Sequence, residues 1–339
     1  MTLYNKPAIS FLVCTRNRAE TVRSCILNLL SSGRSDIEVI VRDNCSTDNT
    51  IEMLHEINDS RLKIYTAPEN QGTRSFFEIS KLASGRIVTW LSDEDDFQFE
   101  HLDYIISKFE ELACNVMFGS LVVGAGHRLI FSDEATDDPV RANFTALLFS
   151  GCGGVFIRNS CLPCANSLTV LSADDAYNLW NNYPVGFFAS RCINHLLVTT
   201  CRIVAKQTRF AKTTNNWNVT SGYNSRLPHY YPETIFDRLS SNIANVCFNN
   251  LPLTIKIVLV YRLIKNFYQQ TSVYKNPDFI QLLQENYELS AVKNYINHVD
   301  SLKLDKLSCR ILWLLGKTIK LVFAVHSMTI HWRRKGELT

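Results

Sequence analysis

Four consecutive acidic residues, at positions 93–96, directly follow the apolar, β-branched run at positions 87–91. Charge that is fixed at the end of a buried strand attracts a cation, whereas the same charge on a flexible tail is solvated. Carboxylates at alternate positions, Asp93 and Asp95, suit a hard divalent cation, which commonly binds through one or two carboxylates plus substrate phosphate oxygens. The run therefore predicts a metal-bridged phosphate substrate.

Two further polar clusters follow apolar runs in the same way. Residues 15–18 come after the run at 8–14, and residues 43–48 come after the run at 37–41. Apolar residues recur at helical spacing between these runs, so strands and helices alternate over the first ~110 residues. The alternation predicts an α/β fold with a doubly wound, mostly parallel sheet, in which ligands bind beyond the carboxyl ends of the strands. Each cluster alone is typical of a solvated loop, but their common edge favours one binding site.

The bulk composition is that of a folded globular protein. The 339 residues are 46% hydrophobic and 20% charged, and a net charge of +3 gives no reason to expect a nucleic-acid partner. The first residues lack the apolar segment of a signal peptide, and no apolar run reaches the ~18 residues of a transmembrane helix. The eleven cysteines are scattered and odd in number. We therefore expect a cytoplasmic protein with reduced thiols in its core.

Three features of the middle of the chain carry weaker signals. Residues 121–126 begin like a dinucleotide fingerprint, but Leu129 stands where the third glycine belongs, which favours a bent strand over a Rossmann dehydrogenase. Residues 150–158 form a glycine-rich loop that runs into a strand, so the glycines permit a tight turn or close backbone approach to a ligand. Asp174 and Asp175 begin a predicted helix, where paired acids either cap the helix or act in catalysis.

Basic and apolar residues are interspersed near the C-terminus. Residues 251–267 and 311–332 mix aliphatic side chains with Lys and Arg, and the basic triplet 333–335 follows. Basic amphipathic helices of this kind suit the headgroup region of an anionic membrane, although a helix packed on a domain core shows the same pattern. We expect a helical, partly basic amphipathic C-terminal region. Contact with a membrane and packing on a domain core both stay open.

Four segments together resemble the nucleotide-sugar-binding half of family-two glycosyltransferases of the GT-A fold. They are residues 9–18 (ISFLVCTRNR), 41–50 (VRDNCSTDNT), 70–72 (NQG) and 93–96 (DEDD). The resemblance implies a GT-A domain at 1–225, with a nucleotide-sugar-binding half at 1–110 and an acceptor half at 111–225. The helical region would occupy 226–339.

The same resemblance implies roles for single residues. It places Asp43 on a pyrimidine base and matches Asp93 and Asp95 to the family's Asp-x-Asp, whose carboxylates reach the ribose and a Mn²⁺ or Mg²⁺ ion. Because four acids are adjacent, Asp96 could replace Asp95 as a metal ligand. The family's acidic pair before the acceptor helix corresponds to Asp174 and Asp175, which makes Asp175 the general base. The other residues expected beside the nucleotide are Thr15, Asn17, Arg18, Asn44 and Gly72.

The implied activity is inverting transfer of a sugar from a nucleotide-diphosphate sugar, with a UDP-sugar favoured, to a lipid-linked saccharide. Such an enzyme would build bacterial surface polysaccharide, such as lipopolysaccharide O-antigen or capsule, as a peripheral protein on the inner face of the cytoplasmic membrane. One departure is Phe99, which stands where family members often carry proline. The alternative is a non-catalytic nucleotide-sugar-binding subunit of a membrane assembly complex, which would keep the strand-end clusters but need no general base.

Overall fold

A computed structural model of the chain describes most of its first half and part of its second half. The described residues are 6–72, 74–123, 127–148, 152–162, 196–208 and 251–273, with Ala189, Cys192, Ile193, Ile243 and Val246. The chain divides into two compact units, Met1–Ser225 and Arg226–Thr339. The roles assigned above to residues 1–110, 111–225 and 226–339 stay predictions.

The first half of the first unit is a parallel sheet with helical crossovers. Its strands are β1 (Ile9–Thr15), β2 (Ile37–Asp43), β3 (Leu62–Thr66) and β4 (Ile87–Ser92), and its helices are α1 (Ala19–Leu30), α2 (Thr50–His55) and α3 (Arg74–Ser80). The spatial order is β3-β2-β1-β4, and all three pairings are parallel. The strand order therefore reverses between β1 and β4, and the carboxyl ends of these two strands form the switch point at which such sheets bind ligands.

The later elements extend the same sheet with mixed pairing. They are β5 (Asp95–Phe97), α4 (Leu102–Glu111), β6 (Val116–Val123), β7 (His127–Leu129), β8 (Glu134–Thr136), α5 (Pro139–Leu148), β9 (Val155–Arg158) and β10 (Leu197–Gln207). Two 3-10 turns, Phe99–His101 and Asn159–Cys161, complete the described part of this unit. The sheet continues from β4 in the order β9-β6-β10-β5, with β9 antiparallel to both of its neighbours. The predicted α/β fold with a mostly parallel sheet is confirmed.

The expectation of one bent strand at residues 121–126 is wrong. Strand β6 ends at Val123, and β7 runs back against it in antiparallel pairing from His127. The residues on either side are therefore two paired strands, and residues 124–126 between them lie outside the described residues.

The core of the first unit is built from the strands and one face of α1. Phe11, Leu12 and Trp90 are fully buried in the sheet, and helix α1 buries Val22, Ile26 and Leu29 at helical spacing. The described cysteines are free thiols, and Cys14, Cys25, Cys114 and Cys192 are buried. Cys201 is exposed and departs from the expectation that the thiols fill the core.

The described part of the second unit includes helix α6 (Leu253–Val273). Leu259 and Leu263 are buried, one turn apart, whereas Leu253 is 71% exposed. Among the described helices, none combines the length and the hydropathy needed to cross a membrane. The predicted amphipathic stretch at 311–332 lies outside the described residues.

A buried carboxylate joins the amino ends of the central strands. Glu38 on β2 is 2% exposed and accepts hydrogen bonds from the hydroxyl of Ser10, from Lys63 Nζ at 2.6 Å and from Ser84 Oγ at 2.7 Å. Burial alone would raise the pKa of Glu38, but the hydrogen bonds from Lys63, Ser10 and Ser84 outweigh it and lower the pKa from 4.5 to about 2. The ionised form therefore stabilises the contact between β1, β2 and β3.

We expect Glu38→Gln to lower the free energy of unfolding at neutral pH by roughly 3 kcal/mol, the equivalent of this difference in pKa. The folded-state pKa is depressed, so the stabilisation is fully present above pH 4.5 and is lost as the pH falls towards about 2. Urea unfolding of both proteins across this range measures the effect. The expectation fails if the difference between wild type and variant stays constant as the pH falls.

Candidate functional site

The acidic run is bonded to the loop after β1 at the switch point. Thr15 Oγ1 donates to Asp93 Oδ2 at 2.9 Å, and Arg18 Nη1 donates to Asp93 Oδ1 at 2.8 Å. Arg18 Nη1 also contacts Glu94 Oε1 at 3.2 Å. Burial would lower the pKa of Arg18, but the carboxylates of Asp93 and Glu94 outweigh burial and raise it. Asp93, at 2% exposure, is thus a buried carboxylate with charge-assisted partners on both oxygens.

The loop after β2 forms a second wall and is tied to the loop after β1. Asp43 is fully buried, and both of its carboxylate oxygens accept hydrogen bonds from Ser46. Ser46 Oγ in turn accepts from the backbone N–H of Asn17 at 2.8 Å, and Asn17 Oδ1 accepts from the N–H of Thr47 at 2.7 Å. A carboxylate has about four acceptor positions, so Asp43 retains capacity for a ligand N–H while Ser46 holds its orientation.

Asn44 and Gly72 belong to the turn that precedes α3. Asn44 Nδ2 donates to Asn70 Oδ1 at 2.7 Å, and Asn44 Oδ1 accepts from Gln71 N and Ser75 Oγ. Gly72 has a φ of 52°, in the left-handed region that glycine adopts at little cost. Through these hydrogen bonds, Asn44 stabilises the turn. The sequence alone does not distinguish this structural role from contact with a ligand.

Three guanidinium groups at this edge have buried N–H groups without an acceptor in the described residues. The atoms are Arg16 Nη1, Arg18 Nε and Arg42 Nε. Arg42 also donates through Nη2 to Gln71 Oε1 at 2.8 Å. Because buried donors normally have partners, these N–H groups suit an anionic ligand. Arg16 and Arg42 were missed in the sequence, where single arginines beside polar loops are unremarkable.

The glycine-rich loop at 152–154 packs against the acidic run from the other side. Gly153 has a φ of +84°, and a Cβ there would lie 2.9 Å from Leu91 Cδ1, 2.9 Å from the Cβ of Ala205 and 3.6 Å from Asp95 Oδ2. Burial, followed by the charges of Asp95 and Asp93, raises the pKa of the Cys152 thiol to about 12. Gly153 thus lets the loop approach Leu91 and Ala205 closely, whereas the close approach of the glycines to a ligand stays a prediction.

The four acids point in different directions. Asp95 is 7% exposed and lies near Gly153, whereas Asp96 Oδ2 accepts from Thr208 Oγ1 at 2.8 Å and Glu94 Oε2 accepts from Gln207 Nε2 at 2.7 Å. Asp93 and Asp95 are thus the two buried acids of the run, whereas Asp96 is bonded to Thr208, which favours Asp93 and Asp95 over Asp93 and Asp96 as cation ligands. Gln207 and Thr208 were also missed, because nothing in the sequence links them to residues more than 110 positions earlier.

No group of three or more His, Cys, Asp or Glu side chains that could hold a metal ion occurs in the part of the chain that the structure describes. Two buried carboxylates nevertheless fit a hard divalent cation whose remaining ligands are phosphate oxygens and water. Asp174 and Asp175 lie outside the described residues, so the position of the expected base relative to this site stays a prediction.

Comparison with known proteins assigns the region that carries the site. Residues 10–143 match the family model described as "Glycosyl transferase family 2". An uncharacterized glycosyltransferase of Haemophilus influenzae is 35% identical over 96 residues, which are 27% of this chain and 38% of that protein. The UDP-Glc:alpha-D-GlcNAc-diphosphoundecaprenol beta-1,3-glucosyltransferase WfgD of Escherichia coli is 27% identical over 146 residues, 43% of this chain and 56% of that protein. This chain thus spans about two fifths to just over half of these relatives.

Solved structures share the fold at low sequence identity. The S. aureus TarS 1-349 structure in complex with UDP-GlcNAc has a TM-score of 0.57 and 16% identity, covering 81% of this chain and 79% of that chain. A second crystal structure of S. aureus TarS 1-349 has a TM-score of 0.55 and 17% identity, and the match covers 81% of this chain and 78% of that chain. At such identity the likeness concerns the fold, which is of the GT-A type. Residues 10–143 of this chain are thus a glycosyl transferase family 2 domain.

Proposed function

We propose that this protein is a glycosyltransferase that moves a sugar from a nucleotide-diphosphate sugar to a saccharide acceptor. The observation that carries the proposal is the convergence of Thr15, Arg18, Asp43, Asp93 and Asp95 at the switch point of the sheet. This edge combines buried carboxylates for a cation with unpartnered guanidinium N–H groups for an anion. A diphosphate with a bound divalent cation would satisfy both the carboxylates and the guanidinium groups.

The preferred donor is a UDP-sugar and the preferred acceptor is a lipid-linked saccharide. Support comes from the E. coli relative, whose name specifies UDP-Glc and a diphosphoundecaprenol acceptor, and from the TarS complex with UDP-GlcNAc. Asp43 would accept the ring N–H of the base in addition to its bonds from Ser46. An acceptor of this class places the enzyme at the inner face of the bacterial cytoplasmic membrane, in the synthesis of a surface polysaccharide such as O-antigen.

The proposed reaction is a single displacement with inversion. Asp175 takes the proton from the acceptor hydroxyl as the oxygen attacks the anomeric carbon, and the nucleoside diphosphate departs. Asp93 and Asp95 would hold Mn²⁺ or Mg²⁺, which when bound neutralises charge that develops on the leaving diphosphate. Thr15 and Arg18 keep Asp93 oriented, so that this carboxylate is preorganised before the donor arrives.

The direction of the acidic side chains gives a matched pair of variants. We expect Asp95→Asn to reduce kcat/KM for donor-dependent release of nucleoside diphosphate by roughly 100-fold, since it removes a cation ligand. Asp96→Asn removes the same charge from the adjacent position, but the Asn Oδ1 can still accept from Thr208, so activity should fall less than ~5-fold. Equal losses in the two variants would contradict the assignment of Asp95.

Donor identity is measurable by thermal shift. We expect a UDP-sugar with Mn²⁺ to raise the unfolding temperature more than GDP-, ADP- or dTDP-sugars at equal concentration. A ligand at 100 times its Kd stabilises the folded state by about 2.7 kcal/mol. Repeating the series with EDTA in place of Mn²⁺ tests whether donor binding depends on the cation. Equal shifts with all bases would argue against base contact by Asp43.

The general base distinguishes an enzyme from a binding subunit. We expect Asp175→Asn to reduce transfer to a polyprenyl-diphosphate-linked saccharide by ~100-fold or more while the Kd for UDP-sugar stays within ~2-fold, because a base acts on the acceptor hydroxyl. Donor titration calorimetry and a radiolabel transfer assay measure the two quantities. Full transfer by the variant would remove this assignment, and wild-type protein that binds donor but never transfers sugar would favour the binding subunit.

A further inference from the structure

Residues at the end of β10 form hydrogen bonds with the acidic run. Gln207 Nε2 donates to Glu94 Oε2 at 2.7 Å, and Thr208 Oγ1 donates to Asp96 Oδ2 at 2.8 Å. The backbone N–H of Thr208 also donates to the carbonyl of Glu94 at 3.1 Å. We call Gln207 and Thr208 the β10 clamp. Its two side chains bind the two acids that the proposed function leaves without a role.

Glu94 connects the clamp to the loop after β1. One of its carboxylate oxygens contacts Arg18 and the other accepts from Gln207, so Glu94 bridges two loops from distant parts of the chain. Its side chain is 20% exposed, so these hydrogen bonds are partly shielded from water. Both carboxylate oxygens of Glu94 are thus held by partners from other loops, which restricts the positions that this side chain can take.

The clamp also fixes the alternation of the residues after Glu94. Strand β5 pairs with β10 in antiparallel register, with Asp95 opposite Gln207, Asp96 opposite Lys206 and Phe97 opposite Ala205. Along a strand, successive side chains point to opposite faces, so a slip of one residue would exchange Asp95 and Asp96. Asp95 and Phe97 are buried, whereas Asp96 turns to Thr208. The register thus decides which acid faces the glycine-rich loop.

We propose that Gln207 and Thr208 are positioning residues that select Asp93 and Asp95, among the four adjacent acids, as the carboxylates available to the divalent cation. This inference rests on the proposed function, since it concerns the same donor site. The clamp acts by binding Glu94 through Gln207 and Asp96 through Thr208. The chemical consequence is a cation site whose affinity depends on residues more than 110 positions away in the chain.

The test uses Thr208→Val, which removes the hydroxyl at nearly constant shape, and Gln207→Met, which removes the amide donor at similar length. Thr208→Ser retains the hydroxyl and is the matched control. The readouts are Mn²⁺ affinity by electron paramagnetic resonance, and UDP affinity by calorimetry with Mn²⁺ and with EDTA. We expect the double variant Gln207→Met/Thr208→Val to weaken Mn²⁺ binding on the order of 10-fold, with ~3-fold for Thr208→Val alone, and Thr208→Ser to match wild type.

A merely structural role predicts a different pattern. General loosening would lower the unfolding temperature and weaken UDP binding equally with Mn²⁺ and with EDTA, and that result would overturn the inference. Wild-type Mn²⁺ affinity in Thr208→Val, an exposed position that tolerates the change, would overturn it as well, even if the double variant failed to fold. A wild-type protein that binds neither UDP nor Mn²⁺ would refute the proposed function itself, whereas normal wild-type binding with unaffected clamp variants refutes the clamp alone.

Discussion

The structure has to hold four adjacent carboxylates at a partly buried sheet edge, and the surrounding contacts follow from this constraint. Like charges a few ångströms apart repel strongly where water is excluded. The chain separates them by giving them different partners: Thr15 and Arg18 bind Asp93, Arg18 and Gln207 bind Glu94, and Thr208 binds Asp96. Asp95 turns towards Gly153. Under the proposed function, a cation held by Asp93 and Asp95 would reduce the repulsion between these carboxylates further.

Apolar anchors on both sides keep this charged segment in place. Trp90 is fully buried before the run, and Phe97, at 2% exposure, follows it. The Phe97 ring packs 4.8 Å from Phe11 and 5.0 Å from Phe99, measured between ring centroids, at angles typical of edge-to-face aromatic pairs. Phe99 therefore contributes packing beside the run. Because the anchors are only seven residues apart, the acidic run between them has little conformational freedom to lose when a ligand binds.

The features that could be predicted from the sequence are the local ones, namely the strands, the helices and the loops between them. Strands β1, β2 and β4 are short apolar runs, and a helix follows each of β1, β2 and β3, so the sequence carries the alternation and the position of the polar loops. The pairing of β10 with β5, the antiparallel β9 and the contacts of Gln207 join residues far apart in sequence, and single-sequence patterns carry no signal for them. The directions of Asp95 and Asp96 follow from that pairing, so the sequence alone does not determine them.

The covalent link between β4 and β5 explains why the glycine-rich loop belongs to the site. Only two residues separate these strands, yet the sheet path between them passes through β9, β6 and β10. The sheet must therefore curl until β10 returns over the end of β4. Gly153 lies at this crossing, between Leu91 of β4 and Ala205 of β10, where no Cβ fits. Strands from residues 1–110 and strands β6, β9 and β10 from later in the chain thus belong to one sheet and close it together.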